Sequence, residues 1–270
     1  MEKTIKDLLQ SQVAISESYK PEWEDVELSE DELNEVIKSA KIKKLAEIRL
    51  REHAEKVNRM VEVPNYTPEQ LGKIILKTAR EQNPDFVIDD GNRAVFKLLC
   101  QYFTLDPAFE KTAEAFSLRK GIMIVGPVGC GKTTMLSFFR KNTVNSFRVL
   151  SCRDVAGEYT EMKDGGNDVL QYYSGLFSVP RGQFYNQADI GAFFDDLGTE
   201  SVKKHFGNEV NVMQEVILNR YDRGIRNKTH FTTNLNAEAI GEYYGARVRS
   251  RLREMCNIIT FPDHSPDRRS

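Results

Sequence analysis

The stretch Gly126-Pro127-Val128-Gly129-Cys130-Gly131-Lys132-Thr133 decides the fold, because it fits the pattern G-x-x-x-x-G-K-[ST] at every fixed position. Glycines let the backbone wrap closely around phosphate groups and turn its N–H donors inward. Lys132 then reaches the β- and γ-phosphates, and the Thr133 hydroxyl takes a place on Mg²⁺. With Thr134 at its end, the stretch predicts a site for a nucleoside triphosphate and Mg²⁺.

The residues around this loop predict a parallel sheet. A short, wholly apolar run, Gly121–Val125, precedes the loop, and a helix is expected after it over residues 134–141. Such runs are typical of strands buried on both faces. Similar runs recur at 147–150, 192–194, 229–232 and 258–261, mostly separated by helical segments. The alternation predicts a doubly wound α/β domain with helices flanking a parallel sheet.

The first third of the chain is predicted to be helical. Residues 1–16 have the spacing of a short amphipathic helix, and the capping-box pair Ser29 and Glu32 begins a long helix that runs to about Met60. A further helix begins at Thr67-Pro68 and another at Asp106-Pro107. These patterns divide the chain into a helical partner-binding region, 1–85, and an α/β domain, 86–270.

Composition excludes several classes of protein. The chain has 270 residues, with 38 Lys+Arg against 40 Asp+Glu. It has no run of about 18 apolar residues that would span a bilayer, and its first residues lack the apolar segment of a secretory signal. The four cysteines have neither zinc-site spacing nor the density of a disulfide framework. We therefore expect a cytoplasmic protein with no membrane contact.

Polar residues follow two of the predicted strands. Asp195 and Asp196 end the run 192–194, and a strand beside the phosphate loop presents its first carboxylate to the Mg²⁺ shell. The next carboxylate would polarise the attacking water, with Glu200 in reserve. Asp196 is one methylene shorter than glutamate, so slow turnover is expected. Asn234 follows the run 229–232 and either bonds the γ-phosphate or its attacking water, or begins a turn.

A cluster of arginines lies near the end of the chain. Arg247 and Arg251 share one helix face, four residues apart, and like charges at that spacing repel. A partner anion is therefore expected. Three interpretations stay open: an arginine finger for the γ-phosphate of a neighbouring subunit, contact with a DNA backbone, and ordinary salt bridging.

Four segments together resemble the AAA+ ATPases of the DnaC/DnaI helicase-loader and IstB transposition-helper group. They are 126–134, the run Phe193-Phe194-Asp195-Asp196-Leu197-Gly198-Thr199-Glu200, Thr232-Thr233-Asn234-Leu235, and 245–252. The resemblance covers about residues 90–270. It implies an AAA+-like P-loop NTPase fold with a small or absent lid, and an ATPase that uses ATP and Mg²⁺.

The same resemblance implies roles for individual residues and partners. Asn234 matches sensor 1, Arg251 best matches the arginine finger with Arg247 as the alternate, and Arg268 matches sensor 2. Members of the group assemble side by side on single-stranded or distorted DNA. In loaders a separate N-terminal region grips the replicative helicase, a role that residues 1–85 would fill here.

These observations lead to one leading function and its alternatives. The leading hypothesis is an oligomeric ATPase that loads a replicative helicase onto DNA. An IstB-like helper that acts with a transposase uses the same switch, so the motifs do not separate the two. A P-loop phosphotransferase and a nucleotide-dependent binding module that does not hydrolyse ATP are the further alternatives.

Overall fold

The protein is described from a computed structural model that covers residues 27–57, 61–161, 165–180, 182–205 and 208–269. The helix predicted over 1–16 lies outside these residues. The chain forms two compact units, Met1–Lys56 and Val57–Ser270.

The described part of the first unit is one helix, α1, at Glu30–Val57. The predicted capping box is present: the Ser29 backbone N–H donates to Glu32 Oε2 at 2.9 Å, and the Glu32 N–H donates back to Ser29 Oγ at 3.4 Å. Its apolar residues Leu33, Val36 and Ile37 are 42–55% exposed. The helix therefore gains little of its stability from burial within its own unit.

The second unit alternates helices and strands, as predicted. Its helices are α2 (Pro68–Gln82), α3 (Arg93–Tyr102), α4 (Lys132–Ser137), α5 (Cys152–Glu158), α6 (Asn167–Tyr173), α7 (Val212–Asp222) and α8 (Ala237–Met255). Its strands are β1 (Gly121–Val125), β2 (Phe147–Ser151), β3 (Phe177–Ser178), β4 (Asp189–Leu197), β5 (Lys203–His205), β6 (Asn208–Val210), β7 (Thr229–Thr233) and β8 (Cys256–Thr260).

The main sheet has the order β2-β4-β7-β1-β8, and each neighbouring pair in that order is parallel. Strand β3 adds antiparallel to β4, while β5 and β6 form a separate antiparallel pair. The predicted parallel α/β fold with flanking helices is therefore confirmed. All five predicted apolar runs are strands of this sheet.

Side chains alternate across the sheet to build a core on each face. Ile122 and Ile124 pack with residues of α2, α3 and α4, whereas Met123 between them packs with residues of α5 to α8. Covered on both faces, the central strands bury nearly all their side chains, which explains why their sequences read as continuous apolar runs.

Helix α2 belongs to the second unit, so the contacts divide the chain at Lys56/Val57 and not at the predicted 85/86. Leu71, Ile75 and Ala79 of this helix are buried in the same core as β1. The helix begins where predicted, at a capping box between Thr67 and Gln70. The start signal at Thr67-Pro68 identified the helix correctly but not the core against which it packs.

The helix predicted to begin at Asp106-Pro107 is wrong. The Asp106 carboxylate accepts the Ala108 N–H at 2.9 Å, and the Asp106 carbonyl accepts the Phe109 N–H at 3.0 Å. These short-range bonds fold residues 107–112 into consecutive turns. Aspartate accepts backbone N–H groups in this way both at helix starts and in turns. An Asp-Pro pair in the sequence therefore does not distinguish a helix start from a turn.

The helix after the phosphate loop is shorter than predicted and ends at Ser137. The N–H groups of Phe139 and Arg140 bond to carbonyls three residues back, Leu136 O at 3.0 Å and Ser137 O at 3.1 Å. This tightening ends the α-helical ladder.

None of the helices in the described ranges is long and apolar enough to cross a bilayer. The four cysteines are all unpaired and buried.

Candidate nucleotide-binding site

The phosphate loop joins β1 to α4, and its glycines are required by its backbone geometry. Gly129 and Gly131 have φ values of 81° and 96°, in the left-handed region that other residues rarely adopt. A side chain at Gly126 would begin 2.7 Å from Cβ of Phe261 on the chain after β8. The loop is thus both strained for other residues and closely packed.

Lys132 follows the loop glycines as the first residue of α4 and is only 5% exposed. Its Nζ donates to Gly126 O at 3.0 Å, to Pro127 O at 2.8 Å and to Asn234 Oδ1 at 2.5 Å. Burial lowers the pKa of Lys132, and the neighbouring carboxylates of Asp195 and Asp196 oppose that shift. The ammonium group therefore joins the loop to the residue that follows β7.

The two predicted metal ligands are in direct contact. Thr133 Oγ1 donates to Asp195 Oδ1 at 2.7 Å, although the residues are far apart in sequence. Among the described residues, no group of three or more His, Cys, Asp or Glu side chains could hold a metal ion. A hydroxyl beside one carboxylate fits Mg²⁺, which is usually held by one or two carboxylates, substrate phosphates and water.

Strand β7, not β4, lies beside β1, so the expectation that the aspartates follow the strand next to the phosphate loop is wrong. The register of β4 against β7 shifts between Phe194 and Leu197, and Asp196 has a φ of 56°. A bulge of this kind redirects side chains at the end of a strand. With this bulge, Asp195 contacts Thr133 from one strand further away.

Thr232 on the intervening strand holds both aspartates, and sequence reasoning missed it. Its hydroxyl donates to Asp195 Oδ1 at 2.5 Å and accepts the Asp196 N–H at 3.0 Å. Thr232 is fully buried. The sequence signal that could have identified Thr232 is a threonine near the end of a buried strand, two residues before Asn234.

A cavity of about 130 Å³ lies in front of the loop. Its lining consists of Gly129, Gly131, Lys132, Thr133, Thr134, Asp196, Asn234, Arg268 and Arg269. Most of the predicted nucleotide-binding residues thus share one space with the predicted water-polarising carboxylate. Pro127 and Val128 instead border a larger cavity of about 620 Å³ together with Ile240 and Leu252 of α8.

Two further side chains near the loop, those of Cys130 and Glu200, are both buried. Cys130 is buried, and burial raises the pKa of its thiol. Glu200, the reserve carboxylate, is 3% exposed, accepts the Gly198 N–H at 3.0 Å and bonds to the Tyr244 hydroxyl. Glu200 therefore braces the turn after β4 against α8.

The two candidate finger arginines differ in their contacts. The Arg251 guanidinium stacks 4.0 Å from the centre of the Tyr221 ring, donates to the Tyr221 hydroxyl at 2.8 Å and lies 3.4 Å from Glu254. Arg247 is exposed, and no hydrogen bond or ion pair joins it to any residue that the structure describes. Both lie on α8, after the non-helical Gly245.

Arg268 reaches the phosphate loop from the end of the chain. Its backbone N–H donates to Gly129 O at 3.0 Å, and its Nε donates to Cys130 O at 3.2 Å. Its two terminal nitrogens pair with Asp89. The residue predicted to match sensor 2 is therefore beside the predicted phosphate site, held by a carboxylate that sequence reasoning did not single out.

No protein-family model matches the chain, and no curated protein matches it. Three solved structures share part of the fold, each with a TM-score of 0.43. A DNA replication initiation factor is 17% identical over 66% of this chain and 48% of its own. DnaA from Aquifex aeolicus, bound to AMPPCP, is 18% identical over 75% and 52%. A replication initiator DnaA bound to AMPPCP and single-stranded DNA is 17% identical over 67% and 50%.

The chain thus spans about half the length of the solved structures to which it is similar.

Proposed function

We propose that the chain is an AAA+ ATPase that binds ATP with Mg²⁺, hydrolyses it, and loads a replicative helicase onto DNA. The observation that supports ATP binding and hydrolysis is that three segments of the chain meet at one small cavity. Lys132 bonds to Asn234, and Thr133 bonds to Asp195, so the phosphate loop is joined to the ends of both β7 and β4.

In this proposal the loop holds the triphosphate and the strand ends act on its γ-phosphate. Thr133 and Asp195 would hold Mg²⁺, which neutralises the charge of the β- and γ-phosphate oxygens when bound. Lys132 leaves the loop carbonyls to contact the phosphates, and Asn234 orients the γ-phosphate or the attacking water. Asp196 lines the same cavity and would polarise that water.

The bond changes during hydrolysis define the role of Asp196. The water oxygen attacks the γ-phosphorus while the bond from that phosphorus to the bridging oxygen breaks, and ADP leaves. The water proton passes to the Asp196 carboxylate and then to solvent. Because the transition state is stabilised mainly by positioned charge, a shorter carboxylate slows the step without abolishing it.

We infer that Arg247, rather than Arg251, is the finger for a neighbouring subunit. An arginine that acts in trans must extend away from its own chain, and Arg247 is exposed without a described partner. Arg251 would first have to leave Tyr221 and Glu254. This reverses the order of preference that the family resemblance implies.

An ATPase that loads a protein partner is supported by the resemblance in the ATPase domain and by α1, whose exposed apolar side chains are available to that partner. Steady-state ATP hydrolysis by the full chain, with and without single-stranded DNA, tests the enzyme. Stimulation by DNA supports the proposal, and the absence of any hydrolysis contradicts it.

The partner is tested separately by capture of the replicative helicase of the source organism on the immobilised full chain. Capture supports loading. If a transposase is retained and the helicase is not, the protein is a transposition helper. Phosphate transfer from ATP to a small acceptor would instead identify a phosphotransferase.

A further inference from the structure

The last described residues of the chain pack against the phosphate loop. Arg268 is bonded to the loop at Gly129 and Cys130, and its Cδ lies 3.3 Å from where a side chain at Gly131 would begin. Arg268 and the following Arg269 both line the phosphate cavity. We call residues 265–269 the tail. It forms one wall of that cavity.

Asp89, which precedes α3, holds the tail in this position. Arg268 Nη1 donates to Asp89 Oδ2 and Nη2 donates to Asp89 Oδ1, both at 2.8 Å. This two-fold pairing fixes the plane of the guanidinium as well as its distance. The side chains are 23% and 38% exposed, so the pair remains accessible to water and can open.

Asp89 is itself fixed by its neighbours. Its Oδ1 accepts the Gly91 N–H at 2.9 Å, and its own N–H donates to Asn92 Oδ1 at 3.0 Å. Ser265 Oγ of the tail donates to Gly91 O at 3.2 Å. The pairing with Arg268 lowers the pKa of Asp89, so the carboxylate is charged at neutral pH. The turn 89–92 is thus a built anchor for the tail.

We propose that Asp89 is a positioning residue for nucleotide retention: by pairing with Arg268 it holds the tail over the phosphate cavity, and bound triphosphate leaves after this pair opens. The inference rests on the proposed function, since it requires a triphosphate in that cavity. Opening of the tail removes a wall and moves Arg268 and Arg269 away from the phosphates, together with the Asp267 carboxylate that lies beside Gly129. Asp89 does not line the cavity, and it acts through Arg268.

The neighbouring Asp90 provides a matched control. It is fully exposed and lies 3.8 Å from Arg93 of α3, without contact to the tail. Asp90→Asn removes the same charge one residue away, so it reproduces any effect of net charge and none of an effect on the tail.

The test follows release of a fluorescent ATP analogue from the full chain when excess ATP is added, in the wild type and in variants. Asp89→Asn is expected to raise the dissociation rate about fivefold, the upper end for loss of a partly exposed ion pair. The association rate should not fall, because the open tail does not obstruct entry. Asp89→Glu should restore much of the slow release, and Asp90→Asn should behave as the wild type.

Arg268→Gln tests the same pair from the side of the tail. The double variant Asp89→Asn/Arg268→Gln should release the analogue no faster than Arg268→Gln alone, since the two residues act as one unit. Additive effects, or a dissociation rate unchanged in Asp89→Asn, would overturn the inference. Failure of the wild type to bind the analogue would overturn the proposed function as well, so the two failures are distinguishable.

Discussion

At the scale of single residues, Thr232 connects the two halves of the candidate site. Its hydroxyl joins the side chain of Asp195 to the backbone of Asp196, and both bonds are partly buried. Thr232→Val keeps the shape of the side chain and removes both bonds. Loss of such bonds costs about 1–3 kcal/mol, and here it falls on the metal ligand. We expect the variant to need about tenfold more Mg²⁺ for half-maximal ATP hydrolysis.

Thr233→Val is the control for this prediction. The Thr233 hydroxyl is also buried, but it donates to Leu197 O at 2.7 Å and does not contact a carboxylate. Its loss should lower stability without changing the Mg²⁺ requirement. Equal shifts in the two variants would show that Thr232 acts only on stability.

His230 gives a second prediction at this scale. It is fully buried among Tyr102, Phe103 and Phe147, where its Nδ1 accepts the Ile122 N–H at 3.1 Å. Burial, with a smaller contribution from the charge of Arg220, lowers its pKa from 6.5 to about 3. The unfolded chain therefore binds a proton between these values that the folded chain does not. Stability falls as the pH decreases through this range, by up to about 1.4 kcal/mol per pH unit.

Urea unfolding at about pH 7 and about pH 5.5 measures this effect. The wild type should lose about 1–2 kcal/mol more than His230→Gln between the two conditions, since the variant has no proton to bind there. The same loss in both proteins would assign the pH dependence to other groups.

At the scale of elements, sequence patterns predicted where the strands lie along the chain but not their order in the sheet. Each central strand is buried on both faces, so its sequence is a plain apolar run that carries no information about its neighbours. Nothing in the run 229–232 indicated that β7 lies between β1 and β4. The bulge at Asp196 and its positive φ likewise depend on pairing with β7, which no local pattern specifies.

The candidate site was predictable to the extent that it lies in short motifs. The phosphate loop, the two aspartates and Asn234 were each identified, because a fixed spacing or a strand end signals them. Thr232 and Asp89 were missed because their importance comes from contacts with residues distant in sequence. Asp89 pairs with Arg268 near the other end of the chain.

Helix α2 provides a prediction at this scale. Removal of residues 1–56 should leave ATP hydrolysis intact, because the second compact unit begins at Val57. Removal of residues 1–85 also deletes Leu71, Ile75 and Ala79 from the core. Burial of one Leu or Ile side chain contributes about 1.5–3 kcal/mol, so the longer deletion should be strongly destabilised.

Thermal unfolding and ATPase assays on both truncated proteins check this expectation. Capture of the helicase should be lost in the shorter deletion if the first unit is the partner-binding region. Equal stability of the two truncated proteins would contradict the assignment of α2 to the ATPase unit.

At the scale of the whole molecule, the proposed assembly depends on which arginine reaches a neighbouring subunit. Arg247→Ala should leave ATP binding unchanged and lower hydrolysis by at least about a hundredfold, a modest part of what an arginine finger contributes. Arg251→Ala should have a smaller effect, through loss of its stacking on Tyr221. Equilibrium binding and steady-state hydrolysis at several protein concentrations separate the two. The reverse order of effects would make Arg251 the finger.

The central claim is that the loop after β1 binds a magnesium-bound triphosphate, and calorimetric titration of the full chain with ATP and Mg²⁺ tests it most directly. The wild type should bind one nucleotide per chain, and Lys132→Ala should bind at least about tenfold more weakly, because it loses a charged contact to the phosphates. Equal affinity in the wild type and in Lys132→Ala would contradict the claim.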